Sequence, residues 1–150
     1  DLGCCPSPFD SYLMTLGLET LSLRVRHEVE SARRLAEYCR NHPKVERVSF
    51  VGFESHPSYA NAKKYFRFGS SAVFTIELKG TLDSTVRFVE SLNLAAHMVM
   101  IGDSVTVVTH PASTTHKQPS DAALAAAGVT PTMLRISVGL ENTDDLIDDF

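Results

Sequence analysis

The sequence predicts an α+β fold, with a mainly antiparallel sheet that carries helices on one face and follows a long N-terminal helix. Short runs of apolar or alternating residues predict strands, and segments with helical periodicity separate most of them. One connection, Gly102-Asp103, is so short that we expect the strands on either side of it to pair antiparallel. This turn favours an α+β sandwich over a parallel sheet. The predicted strands are residues 45–51, 72–78, 96–101, 105–108 and 133–138.

Helix signals are clearest near the start of the chain. Ser7 and Pro8 form a typical helix start, with a capping serine and a proline at the first helical position, and Gly17 interrupts this helix. A longer amphipathic helix is predicted over 20–39. We therefore assign residues 1–42 to linking helices and residues 43–150 to the sandwich. Further helices are predicted over 57–66, over 81–93, over 121–127 with Ser120 as cap, and after the cap Asn142.

Composition limits the kind of protein that this chain forms. Its 150 residues suffice for one domain, and 43% are hydrophobic. A net charge of −4 argues against a nucleic acid partner, and no apolar run reaches the ~20 residues of a membrane span. Three cysteines without a pairing pattern, and no signal peptide, predict a cytoplasmic location. The chain starts at Asp1 and resembles a piece of a longer protein.

Arg135 is the strongest candidate for a binding residue. It lies in the strand-like run Leu134–Gly139 and is the only lysine or arginine after Lys117. A buried guanidinium needs a partner, and the planar carboxylate fits its geometry best. The sequence thus predicts a site for a small acid, and Thr115 could add a hydroxyl to it. The alternative is a strand arginine whose charged end reaches water at a sheet edge.

The segment HPASTTH, residues 110–116, places two histidines near this arginine in sequence. His110 and His116 are six positions apart, which is not a metal-ligand spacing on a helix or a strand, and no cysteine or carboxylate joins them. Hydroxyl-to-backbone bonds in a structural loop explain Ser113 and Thr114. We therefore predict no metal site here.

Several motifs, taken together and in order, resemble the pyridoxal-phosphate enzymes of cysteine and methionine metabolism. The SPF, GLxTL, SHP and AKK stretches come first, and HPASTTH and LRISVGLE follow. Among these enzymes the SHP context, the SerThrThr version of HPAS and the sequence AGVTP look most like O-acetylhomoserine sulfhydrylases. The motifs occupy residues 6–13, 17–21, 54–57, 62–64, 110–116, 127–131 and 134–141.

The resemblance implies the C-terminal domain of a fold-type-I enzyme. In that family the arginine of LRxSVG binds the substrate α-carboxylate, which is Arg135 here, and the second threonine of HPASTTH, Thr115, lies nearby. The implied reaction replaces acetate by sulfide and gives homocysteine, with pyridoxal 5'-phosphate as cofactor. The implied partners are an amino-acid substrate, the cofactor-binding large domain and further copies of the same subunit. The first helix would pack on the large domain, which leaves apolar surface exposed on this chain.

Two features depart from the family pattern. The Schiff-base lysine of the family belongs to a motif upstream of SPF, so no catalytic or cofactor-binding residue is assigned in this chain. Met100 stands where the family usually has serine or asparagine beside the substrate. Alternative interpretations within the same family are a fragment of a cystathionine γ-synthase or of a methionine or cystathionine γ-lyase. An alternative of another class is a stand-alone, non-catalytic binding domain.

Overall fold

The computed structural model describes residues 3–115 and 121–150. The helices are α1 (Pro8–Glu19), α2 (Leu21–Asn41), α3 (Tyr59–Tyr65), α4 (Leu82–Ser91), α5 (Asp121–Ala126) and α6 (Thr143–Asp149). The strands are β1 (Val45–Ser49), β2 (Val73–Leu78), β3 (Ala96–His97), β4 (Val107–Thr109) and β5 (Met133–Ser137), and a short 3-10 helix follows β4 at Pro111–Ser113. No helix in these two described ranges is long and apolar enough to cross a membrane.

The strands form a five-stranded sheet in the order β1-β2-β5-β4-β3, which confirms the predicted α+β class. Three of the four neighbouring pairs are antiparallel. The prediction that Gly102-Asp103 joins two antiparallel strands is nevertheless wrong. The strand predicted at 96–101 is only the two-residue β3, and it pairs parallel with β4. Gly102 lies in the loop between them, so it does not close an antiparallel hairpin.

The core lies between the sheet and the C-terminal half of α2. Ala32, Leu35, Ala36 and Cys39 on this helix are at most 2% exposed and belong to one apolar cluster with β2, β4 and β5. Burial of such a continuous apolar stripe is what holds an amphipathic helix on a sheet. The predicted apolar face of α2 is thus confirmed in this half. It is not buried near the start of the helix, where Leu21 and Val25 are exposed.

Helix α1 is capped as predicted but contributes nothing to the core. The Ser7 hydroxyl accepts from the Asp10 N–H at 3.1 Å, and the Asp10 carboxylate accepts from the Ser7 N–H at 3.1 Å. The helix continues through Gly17, so the predicted interruption there is wrong. None of its residues is buried, and its exposed apolar side chains include Phe9, at 66% exposure, and Leu18, at 65%. The expected exposed apolar surface is present here.

Other boundaries differ only slightly from the sequence-based expectations. The Asn142 side chain caps α6 by accepting from the Asp144 N–H at 2.8 Å, as predicted. Gly128 ends α5 in the left-handed region, with φ 72°, where a side chain would be strained. Ser120, the predicted cap of α5, lies outside the described residues.

Asp149 connects the end of α6 to the segment before β3. Its carboxylate accepts backbone N–H bonds from Asn93, Leu94 and Ala95 at 2.8, 3.1 and 3.0 Å. Partial burial raises the pKa of this carboxyl, but the three N–H donors together outweigh burial and the net pKa is lowered. The charged form of Asp149 therefore stabilises the fold.

We expect Asp149→Ala to lower the free energy of unfolding by about 1–2 kcal/mol at pH 7, because charge-assisted hydrogen bonds are lost. Since the folded-state pKa is lowered, this contribution is complete above the unfolded pKa of about 4 and disappears as the pH falls through the folded value. Denaturant unfolding at pH 7 and pH 3 measures both effects. Asp148→Ala, at the exposed neighbouring position, is the control for the helix-end charge and should change stability by less than about 0.5 kcal/mol. Equal effects of the two substitutions would contradict this role.

Candidate functional site

The site is built on the face of the sheet that points away from α2. Arg135 on β5 is paired with Thr75 on β2 and with Thr109 on β4. Directly opposed residues of antiparallel strands share a face, so these three side chains form one polar row across the sheet. Leu134 and Ile136, on either side of Arg135 in sequence, are 0% exposed and point into the core. The alternation of β5 thus places one cation on an otherwise uncharged row.

Two neighbours hold the Arg135 guanidinium. Its Nη2 donates to the Thr109 hydroxyl at 3.2 Å and to the Met100 carbonyl at 3.4 Å. The Thr109 hydroxyl donates in turn to the Met98 carbonyl at 2.6 Å. These contacts fix one edge of the guanidinium against the loop that joins β3 to β4. Because β5 is the central strand, Arg135 does not lie at a sheet edge.

The rest of the guanidinium is poorly satisfied by the protein. Arg135 Nε is buried and has no hydrogen-bond partner within residues 3–115 and 121–150. Over the same residues, the ion pairs involve Arg33, Arg34 and Arg47 but not Arg135. A half-buried cation with a buried, unpaired N–H is costly unless an anion completes it. This side chain is therefore suited to a carboxylate that accepts from its Nε edge.

The loop after β4 is structural, as predicted. His110 is 1% exposed; its Nε2 lies 2.9 Å from the Pro131 carbonyl and its Nδ1 lies 2.8 Å from the Ser113 hydroxyl. A carbonyl can only accept, so Nε2 carries a proton. The Thr114 hydroxyl donates to the His110 carbonyl at 2.8 Å. Both imidazole nitrogens are thus occupied in holding the loop beside Arg135, and His110 is not free to bind a metal.

Thr115, the second predicted binding residue, is exposed in the turn that follows the 3-10 helix. His116 and Lys117 lie outside the described residues. Met100 is 48% exposed, and its carbonyl contacts Arg135, as described above. It belongs to an exposed apolar run, residues 98–101.

Glu141 holds the loop that joins β3 to β4, a role that the sequence did not suggest. Its carboxylate accepts from the Thr106 N–H at 2.6 Å and from the Thr106 hydroxyl at 2.7 Å. The Thr106 hydroxyl also accepts from the Gly139 N–H at 2.9 Å. These bonds tie the segment before β4 to the segment after β5. Thr109 was missed as well, because it lies one residue beyond the strand predicted at 105–108.

Taken together, fold and site define a small α+β domain with one arginine on a polar sheet face, in a geometry suited to a carboxylate. The chain belongs to the Cys/Met metabolism PLP-dependent enzyme family, whose model matches residues 1–150. This confirms the resemblance inferred from the motifs. The family name also identifies the cofactor on which its members depend.

Three relatives illustrate the match. The homocysteine synthase of Schizosaccharomyces pombe is 45% identical over 150 residues, which is 100% of this chain and 35% of that protein. A crystal structure described as an O-acetylhomoserine (thiol)-lyase from Campylobacter jejuni has a TM-score of 0.92 at 35% identity, over 99% of this chain and 35% of that one, and contains N'-pyridoxyl-lysine-5'-monophosphate. Cystathionine gamma synthase from Xanthomonas oryzae pv. oryzae, in complex with cystathionine, has a TM-score of 0.88 at 37% identity, over 99% of this chain and 38% of that one.

The chain spans about a third of the length of the relatives that it matches, 35% for the homocysteine synthase. The similarity of its fold extends to a cystathionine synthase as well as to an O-acetylhomoserine lyase. The backbone alone therefore identifies the family and leaves the choice of reaction open.

Proposed function

We propose that this chain supplies the substrate α-carboxylate site of an O-acetylhomoserine sulfhydrylase-like enzyme. The observation that carries the proposal is Arg135, whose buried Nε is unpaired within the described residues and which lies on the sheet face opposite the core helices. The names of the relatives, homocysteine synthase and O-acetyl-L-homoserine sulfhydrylase among them, support the choice of reaction.

In this proposal Arg135 binds and orients the amino acid. Two N–H groups of the guanidinium hold the carboxylate, while Thr109 and the Met100 carbonyl prevent the side chain from rotating away. Thr115 adds a hydroxyl near the same carboxylate. The overall reaction breaks the Cγ–O bond of O-acetylhomoserine, releases acetate and forms a Cγ–S bond with sulfide, giving homocysteine.

The cofactor would be held by parts of the protein other than the described residues. Lys44, Lys63, Lys64 and Lys79 are all exposed, whereas a lysine that forms a Schiff base needs a desolvated or otherwise activated environment. None of these four lysines is therefore a candidate for the Schiff base. Bound pyridoxal phosphate supplies the electron sink of the reaction. The contribution that we propose for this chain is binding and orientation.

The unburied helix α1 supports a multi-domain parent protein. Phe9, Tyr12 and Met14 are each at least 60% exposed, and so apolar a helix is typical of a surface that another domain or subunit covers. We propose that residues 1–42 link this domain to the cofactor-binding domain, and that the parent enzyme is a cytoplasmic homo-oligomer.

The test is an assay of the full-length enzyme with pyridoxal phosphate. We expect O-acetylhomoserine and sulfide to give homocysteine and acetate in equal amounts, at a kcat/KM at least about tenfold above that with cysteine as the sulfur donor. Preferred use of cysteine would instead indicate a cystathionine γ-synthase. Release of ammonia from methionine or cystathionine would indicate a γ-lyase.

The same sample distinguishes an enzyme from a binding domain. A visible chromophore that borohydride reduces onto a lysine is expected if the parent protein carries the cofactor. A colourless full-length protein that converts none of these substrates would overturn the proposed function and leave a non-catalytic carboxylate-binding role.

A further inference from the structure

A second concave surface lies on the helix side of the sheet, away from Arg135. It is a cleft of about 490 Å³ between the end of α2, the β1–β2 pair, α4 and Phe150. Its floor includes the apolar side chains Ile76, Leu78, Phe88 and Phe150. The volume is within the range of small-molecule sites in proteins.

The sheet separates this cleft from the carboxylate site. Thr75 shares the face of its partner Arg135, and residues alternate along a strand, so Ile76 and Leu78 point to the other side. A ligand in the cleft would therefore not compete with a substrate held by Arg135. The cleft is independent of the function proposed above.

The rim of the cleft is cationic. Lys44, Lys79 and Arg87 line it, and no aspartate or glutamate side chain of the described residues does. The positive charge of the rim contrasts with that of the chain as a whole, whose net charge is −4. The Lys79 ammonium donates to the Pro43 carbonyl at 2.9 Å, which holds that cation at the rim.

None of the three cations has an acidic partner in the described part of the chain. Arg33, Arg34 and Arg47 elsewhere on the surface pair with carboxylates, whereas Lys44, Lys79 and Arg87 do not. Unpaired cations around an apolar floor favour a ligand that combines a negative charge with an apolar body.

Cys39 completes the floor without adding reactivity. It is 2% exposed, and burial raises the pKa of its thiol to about 12. The thiol therefore stays protonated and behaves as a small apolar group.

We propose that this cleft binds a small organic anion with an apolar body, with the apolar part on Ile76, Leu78 and Phe88 and the anionic group at Lys44, Lys79 and Arg87. A medium-chain carboxylate has this chemistry. Neither the apolar floor nor the cationic rim alone would select such a ligand; their combination does.

The test uses octanoate as the probe, with acetate and 1-octanol as its two halves, titrated into the full chain and followed by NMR. We expect saturable binding of octanoate, at least tenfold tighter than either half, with shifts in the ring resonances of Phe88 and Phe150. The double substitution Lys44→Gln/Arg87→Gln should weaken octanoate binding at least tenfold. Ser91→Trp, which fills the cleft without a charge change, should weaken it as much.

Lys63→Gln/Lys64→Gln is the matched control, because it removes two exposed cations on α3 that do not line the cleft. We expect it to keep the octanoate affinity within twofold. The proposal is overturned if both double variants bind alike, if octanol binds as tightly as octanoate, or if the shifts map to the exposed face of α1. Any of these outcomes would leave the assay of the full-length enzyme unaffected, so the two proposals are tested separately.

Discussion

Arg135→Ala is expected to lower kcat/KM of the full-length enzyme for its amino-acid substrate by about 10- to 150-fold. This range corresponds to about 1.5–3 kcal/mol for a charge-assisted contact to the α-carboxylate. Most of the change should be a rise in KM if the carboxylate is bound equally in the ground state and the transition state. Steady-state kinetics with varied amino-acid substrate measure both parameters.

Two comparisons separate carboxylate binding from a general structural effect. Arg135→Lys should recover only part of the loss, because an ammonium cannot reproduce the two-point contact of a guanidinium. The α-methyl ester of the substrate, which lacks the negative charge, should be nearly as poor with the native enzyme as with Arg135→Ala. Arg47→Gln is the control, since Arg47 pairs with Glu77 on the same sheet and is exposed. If Arg135→Ala kept near-normal kinetics, the proposed role of Arg135 would be wrong.

Gly139→Ala is expected to destabilise the fold by about 2–3 kcal/mol. A Cβ at this position would lie 2.5 Å from the Ser104 carbonyl oxygen and 2.6 Å from both the Thr106 nitrogen and the Val105 carbonyl carbon. All three are backbone atoms, so no side-chain rotation can relieve the contact. The backbone segments after β5 and before β4 must move apart, which breaks the 2.9 Å bond from the Gly139 N–H to the Thr106 hydroxyl.

Gly17→Ala is the matched control for this substitution. Gly17 lies inside α1, and a Cβ there would meet nothing within 4 Å. The same change should therefore stabilise the helix by about 0.5–1 kcal/mol, because alanine loses less backbone freedom than glycine. Denaturant unfolding of both variants, followed by far-UV circular dichroism, gives the comparison. Similar unfolding midpoints for the two would show that residues 104–106 yield more easily than the structure implies.

Only part of the candidate site could be predicted from the sequence. Arg135 could be predicted because a single cation in an apolar strand contradicts the usual pattern and so draws attention to itself. Its partners could not be predicted. Thr109 and the Met100 carbonyl are 26 and 35 residues away in the chain, and sheet pairing alone brings them to the guanidinium. The Glu141–Thr106 bonds depend on the same pairing.

The fold divides in a similar way. Local signals determined the helix starts at Ser7 and Asn142, most of the helices, and the strands β2 and β5, because capping, turn chemistry and apolar periodicity act over a few residues. The family motifs, being a property of the chain itself, were also readable without coordinates.

Only the tertiary structure decided how β3 and β4 pair and which half of α2 is buried. Residues 98–101 are apolar enough to extend a strand, yet β3 ends at His97, and the Met98 and Met100 carbonyls accept from the Thr109 hydroxyl and the Arg135 guanidinium. Likewise, Leu21 and Leu35 are indistinguishable as apolar positions of one helix, and only the reach of the sheet makes one exposed and the other buried. Both outcomes depend on contacts between residues far apart in sequence, whose energies no local pattern contains.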